Sequence, residues 1–257
     1  MQDSQQAPNE QTLTPTASQM DDLNQEMDSL LYALSHDLRA PLRAIDGFSA
    51  ALAEDYEQSL APEAKDYLAR IRAAAKRLET YLDALLRASR ESRGEIQLEE
   101  VDLSALVQTL ASAKTSDLAP EAPQREVLWV IAPGLTAWTD LALMRTALAK
   151  LVDNAWKFTA KTAQARIEFG CRLENSHKVF FLSDNGPGLN MSYAKPRLFG
   201  MFQRLHDDPD LPGLGTGLAT ARRIVNRLGG RIRGFGQPGQ GACFEIVLPE
   251  AGTREGA

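Results

Sequence analysis

The N-terminal third of the chain alternates apolar and polar residues with a helical period. From residue 21 the apolar positions recur at intervals of three, four and seven, with polar and acidic residues between them, a pattern typical of a helix that packs along a seam. These positions are Leu23, Met27, Leu30, Leu34, Leu38, Ile45 and Leu52. Pro41 has no backbone N–H to donate, so the helix is predicted to bend there.

A second helix is predicted after the segment DYEQSLAPE, which interrupts this pattern. Pro62 suits the first turn of a helix, which is expected to run to about residue 90. Its apolar face carries Leu68, Ile71, Ala75, Leu78, Leu82 and Leu85. Two helices joined by a short turn form a hairpin, which alone leaves much of its apolar stripe uncovered. We expect a second copy of the chain to complete a four-helix bundle; the alternative is that the hairpin packs only on the rest of its own chain.

After Gly94 the sequence changes to a mixture of strands and helices. Segments rich in β-branched and aromatic residues, each flanked by turn residues, predict strands. They are EVLWVIA, ARIEFGCRL, KVFFLSD, GRIRGFG and ACFEIVLP. Amphipathic helices are predicted from Leu141 to Phe158 and from Thr216 to Leu228. The predicted fold is therefore an all-α helical hairpin followed by an α+β two-layer sandwich.

These patterns divide the chain into four segments. Residues 1–20 are rich in Gln, Ser, Thr and Pro and have little to bury, so they are predicted to be a disordered tail. The hairpin is assigned to residues 21–93 and the sandwich to residues 94–250. Residues 251–257 are predicted to be a second disordered tail.

The composition narrows the classes of function. The chain has 28 Lys and Arg against 34 Asp and Glu, a net charge of −6, which argues against a nucleic-acid-binding surface. Cys171 and Cys243 are too few for a disulfide scaffold or a Cys-rich metal site, and each is expected to be a small buried apolar residue. No apolar run approaches the ~20 residues of a membrane span, and the polar N-terminus lacks a secretion signal. A cytoplasmic location is therefore expected.

The segment SHDLRAPLRAIDGFS carries a histidine outside the apolar stripe. His36 lies off the line set by Leu34 and Leu38, so its ring is predicted to face solvent. Arg39 and Arg43 follow at three and seven residues and share its face. A neutral imidazole nitrogen is a nucleophile, and guanidinium groups can steady a phosphoryl group beside it. A solvent-facing histidine on a helix also occurs without any function.

Two further segments carry groups suited to a ligand. In LVDNAWKFT, Asn154 and Lys157 share a helical face; an amide oxygen suits Mg²⁺ and an ammonium suits phosphate. In DNGPGL, Asp184 follows a predicted strand and can accept a hydrogen bond from a ligand amine, while Gly186 and Gly188 allow the backbone to approach the ligand. Each segment alone also fits an ordinary surface helix or turn.

A fourth segment, GLGTGLATARRIV, places glycines before a predicted helix. Gly213, Gly215 and Gly217 alternate and lead into a helix N-terminus, where free amides and the positive end of the helix dipole favour phosphate. The spacing matches neither the dinucleotide-binding fingerprint nor a P-loop, and the preceding HDDPDLP is not predicted to be a strand. Such a turn alone is weak evidence for phosphate binding.

Taken in order, these segments resemble the sensor histidine kinases of two-component signalling. SHDLRAPLR resembles the H box, LVDNAWKFT the N box, and DNGPGL and GLGTGLA the two G boxes. LFGMFQRLH resembles the F box, and GQGACFEIVLP the final Gly-rich strand pair. The sequences of these motifs are most similar to those of phytochrome-associated kinases, and the resemblance covers roughly residues 23–250.

The resemblance implies a role for each of these residues. His36 would be the phosphoacceptor and Asp37 its general base; Asn154 would be the Mg²⁺ ligand in an ATP-binding domain of the GHKL fold. Lys157 would contact phosphate, and Asp184 would bind the adenine amino group. A carboxylate there would repel the carbonyl oxygen of guanine, so ATP is expected to be preferred over GTP. The other ATP-binding positions implied are Gly186, Gly188, Phe199, Arg204, Gly213, Gly215 and Gly217. A lid is implied from about residue 188 to 213, with Phe202 as a second aromatic anchor.

Three features depart from the family pattern. Lys150 stands where the N box usually begins with Asn, and a cation there either supports the phosphates or displaces Mg²⁺. Ala40 stands where many members carry a Thr or Asn thought to position water, so weak phosphatase activity is expected. No sensor segment precedes the hairpin, so we expect either a fragment of a larger receptor or a chain that takes its signal from a separate sensor protein.

The leading hypothesis is an ATP-dependent protein-histidine kinase that forms a homodimer through the hairpin. It would pass phosphate from His36 to an aspartate on the receiver domain of a response regulator. A degenerate kinase that serves as a phosphotransfer or scaffold protein is the alternative that Lys150 favours. A GHKL ATPase that only hydrolyses ATP fits less well, because gyrase-type members place a Glu base at this position and lack the hairpin.

Overall fold

The computed structural model describes residues 17–90, 95–116, 125–205 and 213–250. The helices are α1 Ala17–Asp55, α2 Pro62–Arg90, α3 Leu103–Ser116, α4 Leu141–Phe158, α5 Met191–Ala194 and α6 Gly217–Arg227. The strands are β1 Glu99–Asp102, β2 Val127–Ile131, β3 Thr136–Thr139, β4 Ala165–Glu174, β5 His177–Asp184, β6 Arg231–Gly236 and β7 Ala242–Val247.

The hairpin of α1 and α2 has the predicted turn, since α1 ends at Asp55 and α2 begins at Pro62. Helix α1 is continuous through Pro41. It begins earlier than predicted: residues 17–20, assigned to the disordered tail, are helical, because Ala, Gln and Met favour a helix once Pro15 is passed. The predictions for residues 1–16 and 251–257 lie outside the described residues.

Only part of the predicted apolar seam of α1 faces α2. A small core of Leu42, Ala75 and Leu82 joins the two helices, and the seam residue Leu38 packs against it. Ion pairs flank this core, Arg39 with Asp83 at 2.6 Å and Arg72 with Asp46 at 3.1 Å. Four other seam residues are solvent-exposed, because their positions lie about a quarter of a turn around α1 from Leu42. They are Leu30, Leu34, Ile45 and Leu52.

The second unit is the predicted sandwich. Its five-stranded sheet has the order β2-β4-β5-β7-β6, with β2 parallel to β4 and every other neighbouring pair antiparallel. Helices α3, α4 and α6 contribute apolar side chains to one core with the inner face of the sheet. All five predicted strands and both predicted helices are present, and α4 has the predicted bounds. The fold class predicted from the sequence is confirmed.

Several short elements were not predicted. Strands β1 and β3 form a separate two-stranded antiparallel sheet, and α3 and α5 were unassigned. At the start of α3 the carboxylate of Asp102 accepts a hydrogen bond from the Ala105 N–H at 2.9 Å. The Ser104 hydroxyl donates to the Ala132 carbonyl at 2.6 Å and accepts from the Leu135 N–H at 2.9 Å. These bonds tie α3 to the loop before β3.

Two simpler predictions can be compared with the structure. Cys171 and Cys243 are free thiols, as expected, but both are half-buried rather than buried. None of the helices within the described ranges is long and apolar enough to cross a membrane.

Candidate active site

A cleft of about 240 Å³ lies between α4, the end of β5 and the glycine-rich approach to α6. Most of the residues that the sequence marked in this domain line it together. They are Asn154, Lys157, Asp184, Gly188, Arg204, Gly213, Gly215 and Gly217. Apolar side chains also line it: Phe158, Leu189, Leu198, Leu214, Ala242 and Phe244. One cleft therefore combines apolar side chains with carboxylate, amide and ammonium groups.

Asp184 is the acidic group of this cleft. It ends β5, is only 9% exposed, and accepts a hydrogen bond from the Gly186 N–H at 2.9 Å. Burial raises the pKa of Asp184 to about 6, although the N–H groups of Gly186 and Ala242 favour its charged form. Because few N–H groups of the protein donate to this carboxylate, it can accept a hydrogen bond from the amine of a ligand.

The loop after Asp184 is held by close backbone contacts. Gly188 has φ +72°, and a Cβ there would overlap the carbonyl of Gln237. A Cβ at Gly241 would overlap the carbonyl of Asp184 itself. The Asn185 side chain, which the sequence did not single out, donates to the Gln164 carbonyl at 2.7 Å and accepts from the Arg166 N–H at 2.8 Å. Such contacts depend on tertiary pairing, so local motifs do not reveal them.

The glycine-rich segment passes along the polar face of α4. A Cβ at Gly213 would lie 3.4 Å from the Lys157 ammonium, and one at Gly217 would lie 4.0 Å from the Asn154 amide oxygen. Gly215 has φ +71°, and a Cβ there would overlap the backbone of Gln203. No side chain caps the start of α6 at Thr216. These glycines leave a backbone cradle that side chains would fill.

The charge at this end of the cleft is positive. Burial and the nearby charge of Arg204 both lower the pKa of Lys157, so two cations share a partly desolvated space. The acidic neighbour Asp153 forms an ion pair with Lys114 at 2.7 Å. A region with this excess of positive charge favours the binding of an anion such as phosphate.

The predicted metal ligand is a single amide. Within the described residues no group of three or more His, Cys, Asp or Glu is placed to hold a metal. This donor set fits Mg²⁺, which is usually bound by one or two protein oxygens together with phosphates and water, rather than by an all-protein cage. Asn154 supplies such an oxygen beside the glycine cradle.

The predicted lid anchors and Gly186 do not line the cleft. Gly186 lies behind it, against the Phe158 carbonyl. Phe199 packs against the sandwich core, with the Arg222 guanidinium 5.7 Å from its ring. Phe202 turns the other way and contacts Tyr81 of α2. The part of the predicted lid within residues 206–212 lies outside the described residues.

His36 is on the hairpin, separate from the residues that line the cleft. Its side chain is 76% exposed, as predicted, and Nδ1 lies 3.2 Å from Oδ1 of Asp37. A carboxylate only accepts, so in the tautomer that donates to Asp37 the proton would be on Nδ1 and the lone pair on Nε2. The Arg39 guanidinium, predicted to face an incoming phosphoryl group, instead binds Asp83 of α2.

Two family models match the chain. Residues 26–94 match the His Kinase A (phospho-acceptor) domain. Residues 139–252 match the histidine kinase-, DNA gyrase B-, and HSP90-like ATPase family. Together the matches span more than two thirds of the sequence. The chain belongs to the sensor histidine kinases. The family predicted from the boxes is confirmed.

Known histidine kinases and related receptors resemble the chain along most of its length. It is 34% identical over 230 residues to the methanogenesis regulatory histidine kinase FilI of Methanothrix harundinacea, covering 88% of this chain and 25% of that protein. It is 29% identical over 230 residues to cyanobacterial phytochrome B of Nostoc sp., covering 88% and 30%. This kinase chain thus spans about a quarter to a third of the length of these curated relatives.

One solved structure is similar to the chain over most of its length. Full-length ShkA in complex with AMPPNP superposes with a TM-score of 0.55 at 26% sequence identity, covering 86% of this chain and 45% of that one. The matched length includes both the hairpin and the sandwich. The likeness supports a nucleotide-binding domain attached to a phosphoacceptor hairpin.

Proposed function

We propose that the chain is the catalytic portion of an ATP-dependent protein-histidine kinase that phosphorylates its own His36. The observation that carries the proposal is the pairing of two sites in one chain. One is a cleft that joins a buried carboxylate to a positively charged glycine cradle. The other is an exposed imidazole whose Nδ1 lies beside the carboxylate of Asp37.

Each end of the cleft suits one part of ATP. The Asp184 carboxylate accepts a hydrogen bond from the adenine amino group and would repel the carbonyl of guanine. The ring would lie between apolar side chains such as Leu198 and Phe244. Lys157, Arg204 and the start of α6 would bind the phosphates.

Asn154 would hold Mg²⁺, which neutralises phosphate charge when it is bound. The backbone could approach the triphosphate closely at Gly213, Gly215 and Gly217, because glycine has no side chain.

The chemical step follows from the tautomer of His36. Nε2 attacks the γ-phosphorus, an N–P bond forms, and the bond from the γ-phosphorus to the bridging oxygen breaks as ADP leaves. The ring then carries an extra positive charge, and Asp37 takes the Nδ1 proton. In a second step Asp37 returns the proton to Nδ1 and a receiver-domain aspartate attacks the phosphorus; the N–P bond breaks, neutral imidazole leaves, and an acyl phosphate forms on the aspartate.

The hairpin would act as a homodimer. Leu34, Ile45, Phe48 and Leu52 form an exposed apolar stripe on α1, and Ile71 and Leu78 continue it on α2. Single chains rarely expose such a contiguous stripe, whereas a second hairpin in a four-helix bundle would bury it. His36 lies on another face of α1 and would remain accessible.

Phosphatase activity toward the receiver is expected to be weak. Ala40, one turn after His36, is exposed and offers only a methyl group, which cannot orient a water molecule. Ala40→Thr should speed the loss of phosphate from a phosphorylated receiver domain, measured in the presence of ADP. Rapid dephosphorylation by the unaltered chain would contradict this assignment.

The function is tested by mixing variants. Incubation of the unaltered chain with γ-labelled ATP and Mg²⁺ should label the protein, whereas His36→Gln and Asp184→Asn should each stay unlabelled. A mixture of the two variants tests transfer between chains, because label in the mixture requires one chain to phosphorylate the other. No label on the unaltered chain, with ATP binding also absent, would favour the scaffold or phosphotransfer alternative that Lys150 suggests.

A further inference from the structure

Helix α4 presents three polar residues on the face that meets α6. Lys150, Asn154 and Lys157 are spaced by four and three residues, so their side chains lie within about 60° of one another around the helix. A Cβ placed on Gly217 would lie 3.8 Å from the Lys150 Cβ and 4.0 Å from the Asn154 amide oxygen. The side chain of Lys150 therefore starts beside Gly217, the glycine that also lies next to Asn154, the predicted metal ligand.

The surroundings of this position favour an anion. Gly217 is the first residue of α6, and Thr216 provides no side-chain cap for the N–H groups there. Lys150 is half-buried, so its stem is held between the two helices. An extended lysine side chain reaches roughly 5 Å beyond its Cβ, since each of its four further bonds of about 1.5 Å advances the chain by only about 1.25 Å. That length is enough for an ammonium that starts beside Gly217 to reach the first turn of α6.

We propose that Lys150 is an additional ligand for the nucleotide phosphates, and that this chain consequently binds ATP with little dependence on Mg²⁺. The inference rests on the proposed function, because it assumes that ATP occupies the cleft. An amide at this position would offer an oxygen to a metal ion, whereas an ammonium neutralises phosphate directly. Lys150, Lys157 and Arg204 would then together neutralise the negative charge of the phosphates. A metal ion with more protein ligands would otherwise neutralise part of that charge.

The test is ATP binding by titration calorimetry, in excess Mg²⁺ and in EDTA. The unaltered chain should bind ATP in EDTA within about fivefold of its affinity in Mg²⁺. Lys150→Met should bind at least about tenfold more weakly than the unaltered chain in EDTA, because it loses a charge-assisted contact. Lys150→Asn should lose as much in EDTA but recover most of the affinity when Mg²⁺ is present.

Matched controls separate this role from a general effect of charge or folding. Arg145→Met removes a cation from an exposed position on the same helix and should leave both affinities unchanged. Adenosine has no phosphates, so its affinity should be the same in Lys150→Met and the unaltered chain. Thermal unfolding of each variant checks that the sandwich is intact.

Three results would overturn the inference. One is equal ATP affinity of Lys150→Met and the unaltered chain in EDTA. Another is a parallel loss of adenosine binding, which would show that Lys150 only supports the fold. The third is tighter ATP binding by Lys150→Met in Mg²⁺, which would show that Lys150 displaces the metal. If the unaltered chain binds no ATP under either condition, the proposed function itself fails.

Discussion

The ring of Phe202 lies 4.9 Å from the ring of Tyr81 and joins the segment beside the nucleotide cleft to the second helix of the hairpin. Phe202 has φ +60°, a left-handed conformation that is uncommon outside glycine. The next residue, Gln203, contacts the backbone of Gly215 in the cradle. A short chain of contacts therefore links the hairpin to the site proposed for phosphate.

Tyr81→Ala should loosen the sandwich from the hairpin. The substitution removes the ring contact and leaves Phe202 against solvent, so the two units should separate more often. Small-angle scattering should show a larger radius of gyration than for the unaltered chain. Tyr32→Ala, at an exposed position on α1, is the control and should leave the scattering unchanged. Identical curves for Tyr81→Ala and the unaltered chain would show that other contacts hold the domains.

Asp184 should make ATP binding sensitive to mild acid. The pKa of Asp184 is raised to about 6 by burial, and only its ionised form accepts from the adenine amine on both oxygens. If the neutral form does not bind, ATP affinity should fall about tenfold from pH 7.5 to pH 5, because a tenth of the groups stay ionised one unit below the pKa. Inorganic triphosphate, which has no adenine, is the control ligand. An equal loss for both ligands would contradict the role of Asp184.

The same carboxylate should lower the stability of the protein at neutral pH. Its pKa in the folded chain, about 6, exceeds the ordinary value of 3.8, so folding takes up a proton between these values. Stability gained from this group is present below pH 4 and lost as the pH rises through 6. Asp184→Asn should therefore raise the free energy of unfolding at pH 7.5, by at most about 3 kcal/mol, while ATP binding is lost. Denaturant unfolding of both proteins measures this difference.

Much of the sandwich was predictable because its elements carry local signals. The helix Leu141–Phe158 has a clear apolar face and begins after Asp140, whose carboxylate accepts from the Leu143 N–H at 2.9 Å. Strand β5 is rich in β-branched and aromatic residues and ends at the DNGPGL turn. Most of the N-box and G-box residues that the sequence marked lie around the cleft, because they stand near the ends of such elements.

Other features depend on contacts distant in sequence. Strands β1 and β3 have four residues each, too few for a convincing alternation, and they form a sheet only by pairing with each other. The apolar stripe of α1 was recognised, but its direction was not, since spacing alone does not say which of two partners covers it. Helix α3 did carry a detectable signal in Asp102 and the apolar residues after it.

Charge placed in the exposed stripe should prevent dimerisation. Ile45→Lys puts an ammonium at the proposed interface, where it would lose hydration without gaining a partner. Light scattering coupled to size exclusion should give the mass of a dimer for the unaltered chain and of a monomer for the variant. Leu128→Lys, exposed on the sandwich, should leave the dimer intact. A monomer for the unaltered chain would show that the stripe has another occupant.

Glu245 should contribute to the stability of the sheet. Its side chain is only 5% exposed and forms ion pairs with Arg172 and, at 2.9 Å, with Arg233. Glu245→Gln would leave two guanidinium groups beside a neutral amide, at a cost of about 1–3 kcal/mol in the free energy of unfolding, since the arginines retain solvent. Glu174→Gln, which removes a more exposed partner of the same arginines, should cost less than about 1 kcal/mol. Equal losses would contradict this difference in burial.

The central claim is most directly tested by the chemistry of the phosphate on the protein. After incubation with ATP and Mg²⁺, peptide mass spectrometry should find one phosphoryl group on the peptide that contains His36. The N–P bond should make this label labile in acid and stable in base, and His36→Gln should remove it. Label that survives acid, or that persists in His36→Gln, would contradict phosphorylation of the hairpin histidine.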